Sequence, residues 1–421
     1  MAAPAVITST PAAPERRVGW RFISLYTLAY ASSCLMLIAP LLVTLALKIN
    51  SLVGTERAPG ALALVAGTGS LLSMFANPIF GKLSDRTTSA WGRRRPWMVV
   101  GLAGGSVGIL TVALAPNVAV VLAGWCIAQV FFNGLLAAQV AVLPDQVPRA
   151  QRGIVSGVLG ICVPLASVTG TFLVNLFSPH QAAMFLVPCG IGAAFILLFA
   201  ATLDDRPVQR SHRPAWSLRE LVDTFTFSPR RNPDFAWTFL SRFLFVMAYA
   251  FLTAYQTYYL LDHLGSAEAD VPHQIFLSTL VTAAAVIGAS LLGGKLSDRT
   301  GRRKPFVVTA SLLYGVAMLV IALATDFTGF LLGAALSGLG FGVYIAVDLA
   351  LVTDVLPDEE GAAAKDLGVF NIANALPYSV APAIAPAVLA LGDGSYTVLY
   401  AVAGCCASLG ALAILPVRGV R

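Results

Sequence analysis

Charged side chains are scarce in this chain of 421 residues. Asp, Glu, Lys and Arg together make up 11% of it, against roughly 25% in an average soluble domain. Hydrophobic residues reach 57%, and the mean hydropathy is +0.79. A soluble fold of this length has too little interior to hide so much apolar surface. Most of the chain is therefore predicted to lie in a lipid bilayer.

Histidine and cysteine are also few, with four His and six Cys. None of them has the spacing of metal ligands, and the cysteines fall inside apolar stretches, where we expect packing residues. The sequence shows no nucleophile elbow, no phosphate-binding loop and no paired carboxylates within a span. A large soluble domain, typical of a membrane receptor, is missing as well. We therefore expect no enzymatic activity, no metal and no cofactor.

Long apolar stretches account for the composition. A membrane-spanning helix needs about 20 mostly apolar residues. A membrane β-barrel would instead show short segments of alternating polarity, which runs such as "LVTLALKI" at 42–49 do not. The predicted fold class is therefore an all-α membrane protein with twelve transmembrane helices. The predicted spans are residues 22–47, 60–80, 98–115, 118–143, 153–177, 183–203, 235–261, 275–293, 306–324, 328–356, 366–391 and 395–416.

The beginning of the chain resembles a signal peptide, because its basic end "ERRVGWR" at 15–21 precedes an apolar run. That run is too long for a cleaved signal peptide, and no convincing small-residue cleavage site follows it. We therefore predict a disordered tail at residues 1–21 and a retained first helix.

Positive charge is unevenly distributed among the predicted loops. Of the 27 Lys and Arg, Lys48 and Arg57 are predicted between the first two helices and Arg242 within the seventh. All the others fall in the tails or in loops that follow even-numbered helices. Such loops resist translocation, so both termini are predicted on the cytoplasmic side of the inner membrane. The net charge of +6 then reflects topology and contact with anionic lipid, and we expect no nucleic-acid partner.

One charged phrase occurs twice. "GKLSDRTTSAWGRRRPW" begins at Gly81, and "GKLSDRTGRRKPF" begins 213 residues later at Gly294. Since six spans separate the copies, both lie on the same face, and the halves are predicted to be parallel repeats. Two further landmarks recur at the same spacing: Leu143–Asp145 with Leu356–Asp358, and Pro164 with Pro377. The predicted domains are a tail 1–21, a six-helix bundle 22–203, a linker 204–234, a six-helix bundle 235–416 and a tail 417–421.

Two parallel six-helix halves, with "GKLSDR" after the second and the eighth helix, resemble the major facilitator superfamily. The extended phrases are similar to those of the branch containing glycoside–cation and sucrose–proton symporters. The resemblance implies a transporter that works by alternating access, with a cytoplasmic cluster that locks the two halves together in one conformation. Its glycines are expected to let helices approach closely and the chain turn. The gate residues it implies are Gly81, Asp85, Arg86, Gly294, Asp298 and Arg299.

The alternative for the repeated phrase is that its cations only fix the topology. We favour this alternative for Arg93–Arg95 and Arg302–Lys304. We favour the gate for Asp85 and Asp298, because an acid within a basic loop works against the topology signal.

The same resemblance implies a central cavity among helices 1, 4, 7 and 10. Polar residues recur on one face of each of these helices, as expected where a helix faces a hollow rather than lipid. Interhelical hydrogen bonds are the alternative for any single set. The candidate solute-binding residues are Tyr26, Tyr30, Gln129, Asn133, Tyr249, Gln256 and Tyr344, with Asn371 and Asn374 on the eleventh helix.

Two charged residues lie well away from the ends of predicted spans. Arg242 on the seventh helix and Asp348 on the tenth are each about 10–12 Å from the cytoplasmic end. Equal depth on neighbouring helices predicts an ion pair, although each side chain could instead reach the interface separately. When a cavity alternates between wet and dry, loss of hydration raises the pKa of a carboxylate inside it, and pairing with an arginine lowers that pKa. We therefore predict Asp348 as the acid that couples transport to protons, with Arg242 as its partner.

The leading functional prediction is a monomeric, proton-coupled transporter of a small polar solute, a sugar or glycoside, because tyrosine rings and amides suit a sugar ring. The alternative is a proton-driven exporter of drugs or secondary metabolites, which the 23 Phe keep open. The first two helices lack the internal carboxylate expected in the sugar-symporter branch, which puts sodium coupling in doubt. Facilitated diffusion and the direction of transport remain open.

Overall fold

A computed structural model of the protein describes residues 17–205, 233–355 and 372–417. This part of the chain contains twelve helices that are long and apolar enough to cross a membrane, with window hydropathies of 1.4–2.3. The prediction of a twelve-helix membrane protein is confirmed. The helices are Trp20–Val53 (α1), Ala58–Asp85 (α2), Arg95–Ala113 (α3), Val118–Gln146 (α4), Ala150–Phe177 (α5), Gln181–Thr202 (α6), Pro233–His263 (α7), Val271–Thr300 (α8), Lys304–Ala322 (α9), Phe327–Asp348 (α10, whose helix continues to Val355), Ile372–Leu391 (α11) and Tyr396–Ala413 (α12).

Helix α1 is longer than predicted, so the placement of Lys48 in a loop was wrong. The side chain is buried, and its Nζ atom donates to the carbonyl oxygen of Ala113 at 3.2 Å. Ala113 is the last residue of α3, and the final carbonyls of a helix have no partner within it. Lys48 therefore caps α3 from inside the bundle.

The first glycine of each repeated phrase lies within a helix, contrary to the prediction that these two glycines allow the chain to turn. Gly81 lies inside α2 and Gly294 inside α8. A Cβ atom at Gly81 would meet no described heavy atom within 4 Å. The turns are made instead by Gly92, with φ +98°, and by Gly301, with φ +63°. Glycine adopts such a backbone more readily than residues with a side chain.

Irregular segments occur in helices of both halves. A π-helical turn, Pro40–Thr44, interrupts α1, and another, Tyr259–His263, ends α7. Pro164 follows a break at Ile161 in α5, and Pro377 follows a break in α11. Proline has no N–H for the helix ladder, which explains both breaks.

Helix packing in α1–α6 recurs six helices later. The pairs α1–α5, α1–α6, α2–α4, α3–α4 and α3–α6 correspond to α7–α11, α7–α12, α8–α10, α9–α10 and α9–α12. The two groups meet where α2 packs on α11 and α5 packs on α8. We call them the N-half and the C-half. This correspondence is the packing expected of a parallel repeat.

Two membrane faces can be distinguished by their loops. We call the face that carries Arg93–Arg95 and Arg302–Lys304 the basic face, and the other the opposite face. Most of the predicted linker, both predicted tails apart from residues 17–21 and 417, and the second "LPD" at Leu356–Asp358 lie outside the described residues.

Candidate functional site: a cavity between the two halves

A cavity of about 290 Å³ lies between the two halves. Its described lining comes from α1, α2, α4, α5, α7 and α11, so it is shared by both halves. We call it the central cavity. It is lined by Leu37, Ile38, Leu41, Leu42, Ser70, Ser73, Gln129, Asn133, Val163, Ser167, Tyr249, Thr253, Asn374, Ala375 and Tyr378.

The N-half contributes amide groups to this cavity. Asn133 donates from Nδ2 to the backbone oxygen of Gln129 at 2.8 Å and to its Oε1 at 3.1 Å. The donors of Asn133 are therefore used locally. The oxygen of Asn133 and the side-chain nitrogen of Gln129 are left to meet a solute, one as acceptor and one as donor.

The C-half contributes aromatic rings. Tyr249 stacks on Phe341 with ring centroids 4.5 Å apart, and Tyr378 stands nearly perpendicular to Tyr249 at 6.2 Å. Tyr249 and Tyr378 both line the central cavity, with Asn374 one turn before Tyr378. A ring wall of this kind suits the flat apolar face of a sugar or an aromatic ring.

A smaller pocket of about 100 Å³ lies next to the central cavity, and most of its lining residues belong to the C-half. It shares Leu42, Val163, Ser167, Tyr249 and Thr253 with the cavity. We call it the side chamber. Its other lining residues are Pro164, Leu252, Gln256, Ser278, Thr279, Thr282, Ala283, Val286, Tyr314, Phe330, Ala334, Ser337 and Phe341.

Some of the binding residues predicted from the sequence line the two spaces, and others do not. Gln129, Asn133, Tyr249 and Asn374 line the central cavity, and Gln256 lines the side chamber. Asn371 lies outside the described residues.

Tyr26, Tyr30 and Tyr344 are not among the described residues that line either space. The ring of Tyr26 stacks on Phe199 at 5.3 Å, and its hydroxyl donates to the carbonyl oxygen of Gln139 at 2.7 Å. Tyr26 thus packs inside the N-half, so the prediction that it faces the cavity was wrong. The face of α1 that carries Tyr26 meets α4 and α6 of its own half.

The predicted ion pair is present. Arg242 Nη1 and Asp348 Oδ2 are 2.7 Å apart, and both side chains are largely buried. Tyr344 hydrogen-bonds the same carboxylate and stacks on Phe245 with centroids 3.7 Å apart. Arg242 lies seven residues before Tyr249 on α7, so the pair is about 10 Å nearer the basic face than the cavity wall. Tyr344 therefore contacts the pair rather than a solute.

The central cavity and the side chamber share an electrostatic property. Among their described lining residues there is no Asp, Glu, Lys, Arg or His. A charged solute would lose hydration there without gaining a counter-charge, which is costly in a membrane interior. The arrangement therefore favours a neutral solute that forms hydrogen bonds.

The charges of the first repeated phrase pair within the N-half. Arg94 is only 3% exposed and binds Asp85 at 2.6 Å and Asp145 at 2.8 Å, while Arg93 also pairs with Asp145. Burial lowers the pKa of Arg94, but its bonds to Asp145 and Asp85 outweigh this and raise the pKa above its ordinary value. Arg94 is thus a buried structural cation, so the prediction that it only fixes the topology was wrong.

The ion pair in the second copy of the repeated phrase is longer and more exposed to solvent. Arg303 pairs with Asp298 at 3.4 Å, and the Asp298 side chain is 74% exposed. Asp85 and Asp298 each pair with an arginine that follows the turn, Arg94 and Arg303 respectively. The acids of both phrases therefore hold the start of the next helix.

The hydrogen bonds that join the two halves between described residues lie near the opposite face. Tyr255 bonds the carbonyl oxygen of Pro59 at 3.3 Å, and Thr257 donates to that of Leu42 at 3.2 Å. The Tyr258 hydroxyl lies 3.2 Å from the oxygen of Ala46 and 3.4 Å from that of Ala58. These bonds close the opposite face between α1, α2 and α7.

Replacing Tyr258 with phenylalanine is expected to shift the protein toward opening at the opposite face. A single hydrogen bond contributes about 0.5–1.5 kcal/mol, so the population should change roughly twofold to tenfold. The measurement is labelling of Ser73→Cys by an impermeant thiol reagent, in a background where the six native cysteines are serine. Tyr259→Phe is the matched control, because that hydroxyl bonds only carbonyls of the C-half, at Ile321 and Ala324. Equal labelling in both variants would contradict the conclusion that the Tyr258 hydroxyl helps to close the opposite face.

Several lining residues escaped the sequence analysis. The hydroxyl groups of Ser70, Ser73, Ser167 and Thr253 line the central cavity. Small hydroxyl residues are common in membrane helices and bond their own backbone there, so they stand out less than amides. The spacing of Ser70 and Ser73 on one face of α2 was the available signal.

Groups of three or more His, Cys, Asp or Glu that could hold a metal ion do not occur in the described part of the chain. The six cysteines are free. The described lining of the central cavity offers hydrogen-bonding groups and aromatic rings.

Comparison with known proteins agrees with this architecture. The model of the Major Facilitator Superfamily matches residues 21–288 and 259–420. A multidrug resistance protein, MdtL of Klebsiella pneumoniae (strain 342), is 28% identical over 158 residues, which is 38% of this chain and 38% of the relative. The matched region thus spans less than half the length of that relative.

Solved structures show the same fold. The nucleoside transporter NupG superposes with a TM-score of 0.75 at 14% identity, covering 94% of this chain and 99% of that one. The human organic anion transporter MFSD10 (TETRAN) superposes with a TM-score of 0.66 at 19% identity, covering 96% and 100%. At such identities the likeness establishes the fold alone. The twelve spans, the repeated packing and the family match over nearly the whole chain lead to one conclusion: this multi-pass membrane protein belongs to the Major Facilitator Superfamily.

Proposed function

We propose that the protein is a proton-coupled secondary transporter of a small neutral polar solute, a sugar or glycoside. The observation that carries the proposal is the central cavity, which both halves line with amides, hydroxyls and tyrosine rings and without a charged side chain among its described residues. Amide and hydroxyl groups match the donors and acceptors of sugar hydroxyls, and aromatic rings match the apolar face of the sugar. The similarity of the repeated phrases to the sugar-symporter branch supports the same class.

Proton coupling is assigned to Asp348 with Arg242. The pair is a buried ion pair between α7 and α10, about 10 Å along α7 from the cavity wall at Tyr249, toward the basic face. If the two halves rock, the water around this carboxylate changes, and its protonation changes with it. The pair is separate from the solute-binding residues, so a neutral solute and a proton can bind at the same time.

Access is proposed to alternate between the two faces. The opposite face is closed here by the hydroxyl bonds from α7 to α1 and α2. The repeated phrases at the basic face, with Gly81, Asp85, Arg86, Gly294, Asp298 and Arg299, are proposed as the gate that closes when the opposite face opens. The distribution of cations supports a cytoplasmic position for the basic face and for both termini. One chain contains the whole cavity, which supports a monomer.

Export of drugs or secondary metabolites is the second candidate, favoured by the partial similarity to MdtL, a multidrug resistance protein, and by the ring-lined side chamber. The uncharged lining argues against cationic or anionic drugs. A neutral apolar metabolite would remain acceptable.

The test is transport by the purified full chain in vesicles of known orientation. Under an imposed pH gradient, we expect accumulation of a labelled sugar or glycoside that stops when a protonophore is added. A sodium gradient alone should give no accumulation. Proton flux driven by a neutral drug, without uptake of any sugar or glycoside in a broad panel, would favour the exporter instead.

A further inference from the structure

The side chamber and the central cavity are adjacent spaces whose linings differ in chemistry. Their shared wall is Tyr249 and Thr253 on α7, with Leu42, Val163 and Ser167 opposite. Amides concentrate on the cavity side, at Gln129, Asn133 and Asn374. Rings concentrate on the chamber side, at Tyr314, Phe330 and Phe341. A solute with one polar and one aromatic part would match both.

The hydroxyl groups of the side chamber are arranged to accept hydrogen bonds. Ser278 donates to the backbone oxygen of Ile275 at 3.0 Å, and Ser337 donates to that of Ala334 at 2.8 Å. Thr282 also donates to the oxygen of Ala334, at 3.2 Å. A hydroxyl whose proton is used in this way offers only lone pairs to a ligand. The chamber therefore suits a group that carries its own hydrogen-bond donor.

Tyr314 has a hydroxyl with no partner. It lines the side chamber, is 1% exposed, and its oxygen makes no hydrogen bond to any described residue. Gln256, 8% exposed and in the same lining, likewise makes no hydrogen bond within the described part of the chain. Buried polar groups in native proteins are nearly always hydrogen-bonded. The unpartnered Tyr314 hydroxyl, together with the Gln256 amide in the same lining, indicates that a ligand provides the missing partners.

We infer that the side chamber binds the aromatic part of a conjugate in which a sugar is joined to an aromatic ring, while the sugar occupies the central cavity. This inference rests on the proposed function and narrows it from sugars in general to aromatic glycosides. The aromatic ring lies between Tyr249–Phe341 and Phe330, and its polar substituent meets Tyr314, Gln256 and the accepting hydroxyls. O-linked aryl glycosides and N-linked nucleosides share this chemistry.

The experiment measures Kd values of the purified full chain in detergent for paired probes. Each of several hexoses is tested as the methyl glycoside, the 4-hydroxyphenyl glycoside and the 4-methylphenyl glycoside, which lacks the donor; uridine and adenosine form a separate arm. We expect the 4-hydroxyphenyl glycoside of the accepted sugar to bind at least tenfold more tightly than its methyl glycoside. The 4-methylphenyl glycoside should show only part of that gain.

Tyr314→Phe should lower the ratio of the methyl to the 4-hydroxyphenyl Kd severalfold. Tyr400→Phe is the matched control, because Tyr400 also has a buried hydroxyl without a partner among the described residues but lies outside the chamber lining. It should leave the ratio unchanged. A nucleoside that binds more tightly than every aryl glycoside, with the same dependence on Tyr314, supports the inference and identifies the N-linked form.

Two results separate the inference from the proposed function. If methyl glycosides bind and an aromatic group adds no affinity, or if Tyr314→Phe and Tyr400→Phe behave alike, the chamber is not the aromatic subsite, although the sugar proposal stands. If no sugar, glycoside or nucleoside binds or is transported, the proposed function fails and the inference fails with it.

Discussion

Replacing Asp348 with asparagine is expected to abolish accumulation driven by a pH gradient, with at least a tenfold loss in vesicles. The carboxylate is the buried acid paired with Arg242 at 2.7 Å, and asparagine keeps its size but cannot exchange a proton. Solute exchange without a gradient should continue, because Asp348 does not line the cavity or the chamber. The measurement compares gradient-driven uptake with counterflow of the same labelled solute.

The control for this experiment is Asp393→Asn, the same substitution at an exposed loop residue on the opposite face. Asp393 has a φ of 51°, which asparagine tolerates. Size-exclusion chromatography checks that the Asp348 variant folds, since removing one partner of a buried ion pair is destabilising. Unchanged accumulation in a folded Asp348→Asn protein would refute proton coupling at this residue.

Replacing Arg94 with leucine is expected to cause the largest loss of stability among the loop cations. The substitution leaves Asp85 and Asp145 without their shared cation and Ser84 without the 2.8 Å bond from Nη1. Breaking a buried pair costs about 3–5 kcal/mol, and the partial exposure of Asp85 and Asp145 places the effect near the lower value. Thermal unfolding in detergent, followed by tryptophan fluorescence, measures the change.

Arg302→Leu is the matched control for Arg94→Leu. It removes the same type of side chain from the second copy of the phrase, where Arg302 is exposed and makes no ion pair with a described residue. Exposed ion pairs and single surface charges contribute little, so its melting temperature should stay close to that of the wild type. Equal destabilisation by the two substitutions would show that the buried Arg94 contributes no more to stability than the exposed Arg302.

Much of the architecture was predictable from the sequence because lipid leaves few choices. Backbone groups in a bilayer must be bonded internally, so each long apolar run has to form a helix. The spacing of 213 residues between Gly81 and Gly294 then indicated two parallel halves, and the packing of α1–α6 recurs in α7–α12. Boundaries were less accurate: α1 continues to Val53 and buries Lys48, because a lysine can cap a neighbouring helix inside a bundle.

The candidate site was predictable only in part. Helical spacing correctly grouped Gln129 with Asn133 on the cavity face of α4, and equal depth correctly paired Arg242 with Asp348. The same spacing argument failed for Tyr26, since a polar stripe fits a neighbouring helix of the same half as well as it fits a cavity. Periodicity shows that a face is polar, but it contains no information about what that face meets.

The sequence by itself determined the twelve spans, the duplication and the sign of the charge on each face, because these follow from local hydropathy and from residue spacing along one chain. The tertiary structure decided which polar residues share a cavity, that Arg94 joins Asp85 to Asp145, and that a ring-lined chamber adjoins the cavity at Tyr249. These depend on how helices distant in the sequence rotate and approach one another. Their rotation is set by the fit of side chains across both halves at once, which no single helix specifies.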